Sequence, residues 1–145
     1  MRNLARWFAA LFVIAVVCNF TWEMAQSYLY EPMGDWWQST RRCLLASVGD
    51  GVMVVSVAEV IRRFWRRCPV VLTPSAAGEY IAAAALALAM AVVVEWWGLG
   101  VGRWAYRAEM PLVPGTRLGV VPLAQMALLT PLTMWLAQRT RGVRK

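Results

Sequence analysis

Three acidic residues and two neighbouring amides lie in parts of this sequence that are otherwise strongly apolar. Asn19, Glu23 and Gln26 follow the apolar run LFVIAVVC, and their i, i+4, i+7 spacing places them on one face of a helix. Asp50 lies in SVGDGVMVV, and Glu95 lies in VVVEWWG. A carboxyl group in hydrocarbon is costly unless it is paired, hydrated or protonated, so such residues usually face a bundle interior or a wet cavity. The pattern therefore predicts a polar site inside a membrane protein.

The elements that carry these residues are four apolar stretches. Of the 145 residues, 60% are hydrophobic and only 16% are charged. The stretches cover roughly 4–28, 43–61, 76–97 and 118–137, and each is close to the ~20 residues that a helix needs to cross the hydrocarbon. We therefore predict an all-α fold, an integral membrane bundle of four transmembrane helices that forms a single domain over residues 1–145.

The net charge of +7 is interpreted as a topology signal. Ten of the fifteen basic residues fall in the segments 2–6, 62–67 and 139–145. The positive-inside rule then places both termini and the loop after the second helix in the cytoplasm. We expect a multi-pass protein of the bacterial inner membrane with no nucleic-acid partner. The first stretch is interpreted as an uncleaved helix, because no small-x-small cleavage site follows it.

This topology brings one polar group from each helix into the outer half of the membrane. Glu23 and Glu95 come near the outer ends of helices 1 and 3, while Asp50 and Gln125 each come seven residues into helices 2 and 4, about 10 Å deep. We interpret the convergence as an outward-facing polar pocket. The alternative is that Glu23 and Glu95 extend to the interface and that Asn19 and Gln125 only form interhelical hydrogen bonds.

A glycine- and proline-containing segment, 98–117, follows the third helix and carries Trp104 and Tyr106. Such a segment is either a lid over the mouth of the bundle or an aromatic connector at the membrane surface. Trp22 is either part of the pocket or an interfacial anchor. As ligand-binding residues we predict Asn19, Trp22, Gln26, Trp104, Tyr106 and Gln125, and as catalytic residues Glu23, Asp50 and Glu95.

The remaining polar residues predict no metal site and no cofactor. Histidine is absent, and none of the three cysteines belongs to a CxxC pair. Cys18 and Cys43 are expected as unpaired thiols, although both lie where they could pair. Glu59 and Glu79 are expected to form solvated ion pairs near the basic segment 62–67. The small residues of AAGEYIAAAALALA favour close helix packing within the chain or in a homo-oligomer.

In the spacing of its polar, aromatic and proline residues, the chain resembles a group of small four-helix bacterial membrane proteins that are largely uncharacterised. The shared pattern is N..WE..Q..LY, GD, EW, W.Y...MP..P and G..P..Q. It is carried by Asn19, Trp22, Glu23, Gln26, Leu29, Tyr30, Gly49, Asp50, Glu95, Trp96, Trp104, Tyr106, Met110, Pro111, Pro114, Gly119, Pro122 and Gln125. The resemblance spans the whole chain in order but implies no particular reaction.

A weaker resemblance points to enzymes. The NxxWE element is similar to one in small integral-membrane terpene cyclases, and the W-x-Y segment with its proline-containing helix resembles the lycopene cyclase domain. These families protonate isoprenoids with membrane-embedded acids. The present chain has Pro122-Leu123-Ala124-Gln125 where that cyclase domain has PxEE, so the resemblance implies acid roles only for Glu23, Asp50 and Glu95.

Two classes of function remain open at this stage. As an enzyme, the protein would use a carboxyl group stabilised in its protonated form to act on a lipid or isoprenoid that enters laterally. As a non-catalytic protein, it would bind a lipid, assist assembly, or conduct a small solute or ion. The apolar middle of each helix disfavours conduction, because a pathway needs polar groups along its full depth.

Overall fold

The chain folds into four long helices, described by a computed structural model over residues 2–32, 34–65 and 77–142. The helices are α1 (Arg2–Gln26), α2 (Trp36–Trp65), α3 (Ala77–Gly100) and α4 (Val120–Gly142), and a 3₁₀ turn at Ser27–Leu29 follows α1. Within these described ranges, extended pairing is limited to two isolated bridges, Tyr30 with Tyr106 and Leu112 with Gly119.

Four helical segments in the described part of the chain are long and apolar enough to cross a membrane, and the first includes the 3₁₀ turn after α1. The segments are Asn3–Leu29, Trp36–Phe64, Ala77–Gly100 and Val120–Thr140. The shortest has 21 residues, and about 20 are needed to cross the hydrocarbon. The prediction of an all-α bundle with four such helices is confirmed. Large apolar side chains such as Val17 and Val93 remain about 60% exposed, as expected of a surface that faces lipid.

The second helix begins at Trp36, seven residues before the predicted start. Asp35 caps it, since the Asp35 Oδ1 atom accepts a hydrogen bond from the backbone N–H of Gln38 at 2.7 Å. Gly34, with φ of 117°, turns the chain into this cap. The first two turns of the helix, WWQSTRR, contain polar and charged residues. Hydropathy alone therefore did not include them in the predicted helix.

The helices form a ring in which each packs against its neighbours in the chain, and α4 also packs against α1. The contact between α2 and α3 is the loosest of the four. The bridge between Tyr30 and Tyr106 brings the connections 27–35 and 101–119 together. These connections therefore lie at the same end of an antiparallel bundle, which we call the loop end.

Small residues of α3 allow close packing inside the chain. Ala83, Ala87 and Ala91 are buried at a spacing of four residues, and α3 packs mainly against α4. A homo-oligomer through this helix remains a prediction. In the half of the bundle away from the loop end, the core contains Trp7, Leu11, Val54, Val57, Ile61 and Met134.

The two acids expected near the basic segment have different environments. Glu59 forms salt bridges with Arg62 and Arg63, at 2.6 and 2.7 Å, as predicted. Glu79 is only 2% exposed, so the expectation of a solvated carboxylate was wrong. Its position explains the difference, because Glu79 begins the same four-residue series as the buried alanines of α3 and therefore points inward.

The expected cysteine state agrees with the structure where it is described. Cys18 and Cys43 are free thiols, and both are partly buried. Cys68, together with the whole connection 66–76, and residues 143–145 lie outside the described residues.

Candidate functional site

Gln125 of α4 joins polar side chains from two other helices. Its Nε2 group lies 2.9 Å from Asn19 Oδ1, 3.1 Å from Glu23 Oε1 and 3.2 Å from Asp50 Oδ2. Its Oε1 atom accepts a hydrogen bond from Gln26 Nε2 at 2.8 Å. Asn19, Gln26 and Gln125 are at most 3% exposed. The i, i+4, i+7 face of α1 thus meets α2 and α4 in one buried network.

Glu95 is held by the segment that follows α3. Trp104 donates its indole N–H to Glu95 Oε2 at 3.1 Å, and the Tyr106 hydroxyl donates to the same oxygen. The Trp104 ring lies directly on Gly98, where an added Cβ would come within 2.1 Å of the ring. Only glycine leaves room for the indole at this position. The segment therefore folds inward onto the bundle.

The two loop-end connections support one another. The Glu31 N–H donates to Ala105 O at 3.0 Å, and the Arg107 N–H donates to Leu29 O at 2.9 Å. The Tyr30 and Tyr106 rings meet edge to face, with their centroids 5.4 Å apart. Burial, together with the hydrogen bond to Glu95, raises the pKa of the Tyr106 hydroxyl above its usual range. Tyr106 therefore remains a neutral donor.

The three acids border a common cavity of about 30 Å³. This volume is sufficient for a water molecule. Its lining consists of Glu23, Asp50, Met53, Ala91, Val94, Glu95, Pro122, Gln125 and Met126, with no basic residue. With no basic residue among the described residues that line this cavity, the three carboxyl groups oppose full ionisation, so one can carry a proton while another is an anion.

A larger cleft of about 990 Å³ leads from this site to the surface of the bundle. It lies between α2 and α3, where helix packing is loosest. Along α2 it extends from Ser39 to Met53, about 20 Å by helical rise. Leu45 in its wall is 64% exposed. Glu23, Asp50 and Glu95 line this cleft as well as the small cavity.

Most of the predicted site residues meet at this place. The acids Glu23, Asp50 and Glu95 and the amides Asn19, Gln26 and Gln125 lie together, and Trp104 and Tyr106 contact Glu95. Trp22 is the exception. It lines neither the small cavity nor the cleft, and its buried indole N–H has no hydrogen-bond partner in the described part of the chain.

Sequence reasoning missed several residues of the cleft. Tyr30 and Arg42 line it, as does Met53 at its inner end. Tyr30 is the last residue of the motif N..WE..Q..LY, and its place in the same motif as Glu23 and Gln26 could have indicated that it lies near the site. Nothing in the sequence distinguishes Arg42 from Arg41, which does not line the cleft.

In the described ranges, no group of three or more acidic or cysteine side chains is placed to hold a metal ion. Comparison of the chain with protein-family models, with curated proteins and with solved structures gives no match. The resemblance to a bacterial four-helix group and to isoprenoid cyclases therefore stays a prediction.

Proposed function

We propose that this protein is a multi-pass inner-membrane protein that binds a lipid or isoprenoid-type molecule in the cleft between α2 and α3. The observation that carries the proposal is the continuity of the cleft with the acidic site. The same three carboxyl side chains line both spaces. A lateral opening between two membrane-crossing helices admits a molecule from the bilayer without passage through water.

The size and lining of the cleft fit such a ligand. A volume near 990 Å³ is at the upper end of the ~300–1,000 Å³ range of small-molecule sites. Apolar side chains from both helices, including Leu45, Ala46 and Val94, lie beside the acids. This mixture of an apolar wall and a few convergent polar groups is typical of sites that orient a mostly apolar molecule.

The proposal is tested by filling the cleft with a large side chain. Ala46→Trp places an indole in the cleft wall, whereas Val52→Trp places one on an exposed position of α2 that does not line the cleft. We expect Ala46→Trp to weaken lipid binding about tenfold, since overpacking costs ~1–3 kcal/mol. Native mass spectrometry of the purified protein with added lipid measures the affinity. Equal binding by both variants and the wild type would place the ligand elsewhere.

The second candidate function is acid–base catalysis on the bound molecule. It is favoured by the different environments of the acids. Glu23 and Asp50 share the amide donor of Gln125, while Glu95 accepts from an indole and a phenol. Unequal hydrogen bonding separates a proton donor from an anionic stabiliser. Transport is the less favoured alternative, because apolar side chains such as Leu11, Val54 and Met134 occupy most of the core in the other half of the bundle.

For the orientation we propose that both termini are cytoplasmic and that the loop end faces outward. The concentration of basic residues at 2–6, 62–67 and 139–145 supports it. In a background without native cysteines, we expect Ala108→Cys to react with an impermeant maleimide added to intact cells. Arg144→Cys should react only after the membrane is opened. External labelling at position 144 would reverse the orientation.

A further inference from the structure

We propose that the molecule in the cleft is a membrane lipid with a phosphate headgroup, and that Arg42, Arg103 and Arg107 hold this headgroup. This inference rests on the proposed function. The three arginines line the loop-end part of the cleft. They come from two different elements, because Arg42 belongs to α2 while Arg103 and Arg107 belong to the connection after α3. Tertiary folding, and not local sequence, brings them to the same opening.

In the described part of the protein, none of these three arginines forms a salt bridge. All three side chains are exposed, and the salt bridges found there join only Glu59 to Arg62 and Arg63. Glu31 lines the same cleft and is the only acid among its lining residues outside the Glu23–Asp50–Glu95 group. Among the residues that line the loop-end part of the cleft, three arginines against one carboxylate give a net positive charge, and guanidinium groups are suited to phosphate oxygens.

The depth of the arginines matches that of a lipid headgroup. Arg42 is six residues after the start of α2, about 9 Å by helical rise. Because the polar turns WWQSTRR end at Arg42 and the apolar stretch of α2 begins at Cys43, Arg42 lies directly before the segment expected in the hydrocarbon. The Arg103 guanidinium lies 5.8 Å from the centroid of the Trp97 ring, and exposed tryptophans favour this level of the membrane.

The two ends of the cleft carry opposite charges, with the arginines at the loop end and the acids at the inner end. Asp50 is eight residues beyond Arg42 on α2, about 12 Å deeper. An anionic group would be repelled at the acidic end and attracted at the arginine end, which fixes the direction of the molecule. The apolar wall formed by Leu45, Ala46 and Val94 then accommodates the chain next to the headgroup.

The test compares two lipids that differ only in the phosphate. Purified full-length protein is titrated with dioleoyl phosphatidic acid and with dioleoylglycerol, and native mass spectrometry gives the ratio of affinities. We expect phosphatidic acid to bind roughly tenfold more tightly, and the preference to weaken at high salt. Arg42→Gln with Arg103→Gln and Arg107→Gln should remove the preference. The control, Arg41→Gln with Arg117→Gln, removes two positive charges at the same end outside the cleft and should retain the preference.

The outcomes separate the headgroup assignment from the proposed function. Failure of the wild type to bind either lipid would overturn the headgroup assignment together with glycerolipid binding in the cleft, whereas equal binding of the two lipids would overturn only the headgroup assignment. A preference that survives in the triple variant, or disappears in the control, would also overturn it. Competition by free glycerol 3-phosphate would assign the arginines to a soluble anion. If the triple variant loses its thermal transition, Arg42→Gln alone should still reduce the preference measurably.

Discussion

Replacement of Gln125 by leucine should destabilise the bundle more than any other single change in the site. The substitution leaves a side chain of similar size but removes the amide that contacts Asn19, Glu23 and Asp50, and the oxygen that accepts from Gln26. Each buried polar group left without its partner costs roughly 1–3 kcal/mol. Because the remaining polar groups can partly rearrange around the small cavity, we expect the free energy of unfolding to fall by about 3 kcal/mol in total.

Thermal unfolding in detergent measures this effect, and two comparisons define its cause. Leu128→Ala, three residues along α4 at a position that is 58% exposed, should change stability by less than about 1 kcal/mol. Gln125→Asn keeps the amide on a shorter side chain. Its stability should lie between that of the wild type and that of the leucine variant. A leucine variant as stable as the wild type would contradict the network described here.

The helices and the convergence of the acids follow from short-range features of the sequence. Hydropathy over ~20 residues identifies a membrane-crossing helix without reference to its neighbours. Helical periodicity likewise places Asn19, Glu23 and Gln26 on one face. Counting residues from the helix ends put Asp50 and Gln125 at a common depth, and the 3.2 Å contact between them agrees with that prediction.

The features that were not predicted depend on which helices become neighbours and how closely. The cleft exists because α2 and α3 pack loosely, which no pattern within either helix encodes. The inward direction of Glu79 depends on the rotation of α3 against α4. Trp22 is adjacent to Glu23 in sequence, but consecutive residues of a helix point about 100° apart, and its side chain does not line the site.

Replacement of Asp50 by asparagine should separate an acid with a chemical role from one that only completes the network. In the wild type, Gln125 Nε2 lies 3.2 Å from Asp50 Oδ2. Asparagine has nearly the same shape as aspartate and keeps an oxygen that can accept a hydrogen bond from this amide. We therefore expect the variant to fold, reach the membrane and retain bound lipid. If the carboxyl group donates a proton or stabilises a cation, conversion of that lipid should fall about 100-fold or more.

Asp50→Leu provides the contrast, because it removes the acceptor as well as the charge. This variant should lose roughly 1–2 kcal/mol of stability through the broken interhelical hydrogen bond. Lipid extracted after incubation with each reconstituted protein is compared by mass and retention time, and unfolding is followed in the same samples. Conversion by the wild type that persists in Asp50→Asn would exclude Asp50 as the acid and leave Glu23, which shares the same amide donor, and Glu95. Unaltered lipid with the wild type would instead favour binding without catalysis, in which case the carboxyl groups serve to orient the ligand within the cleft.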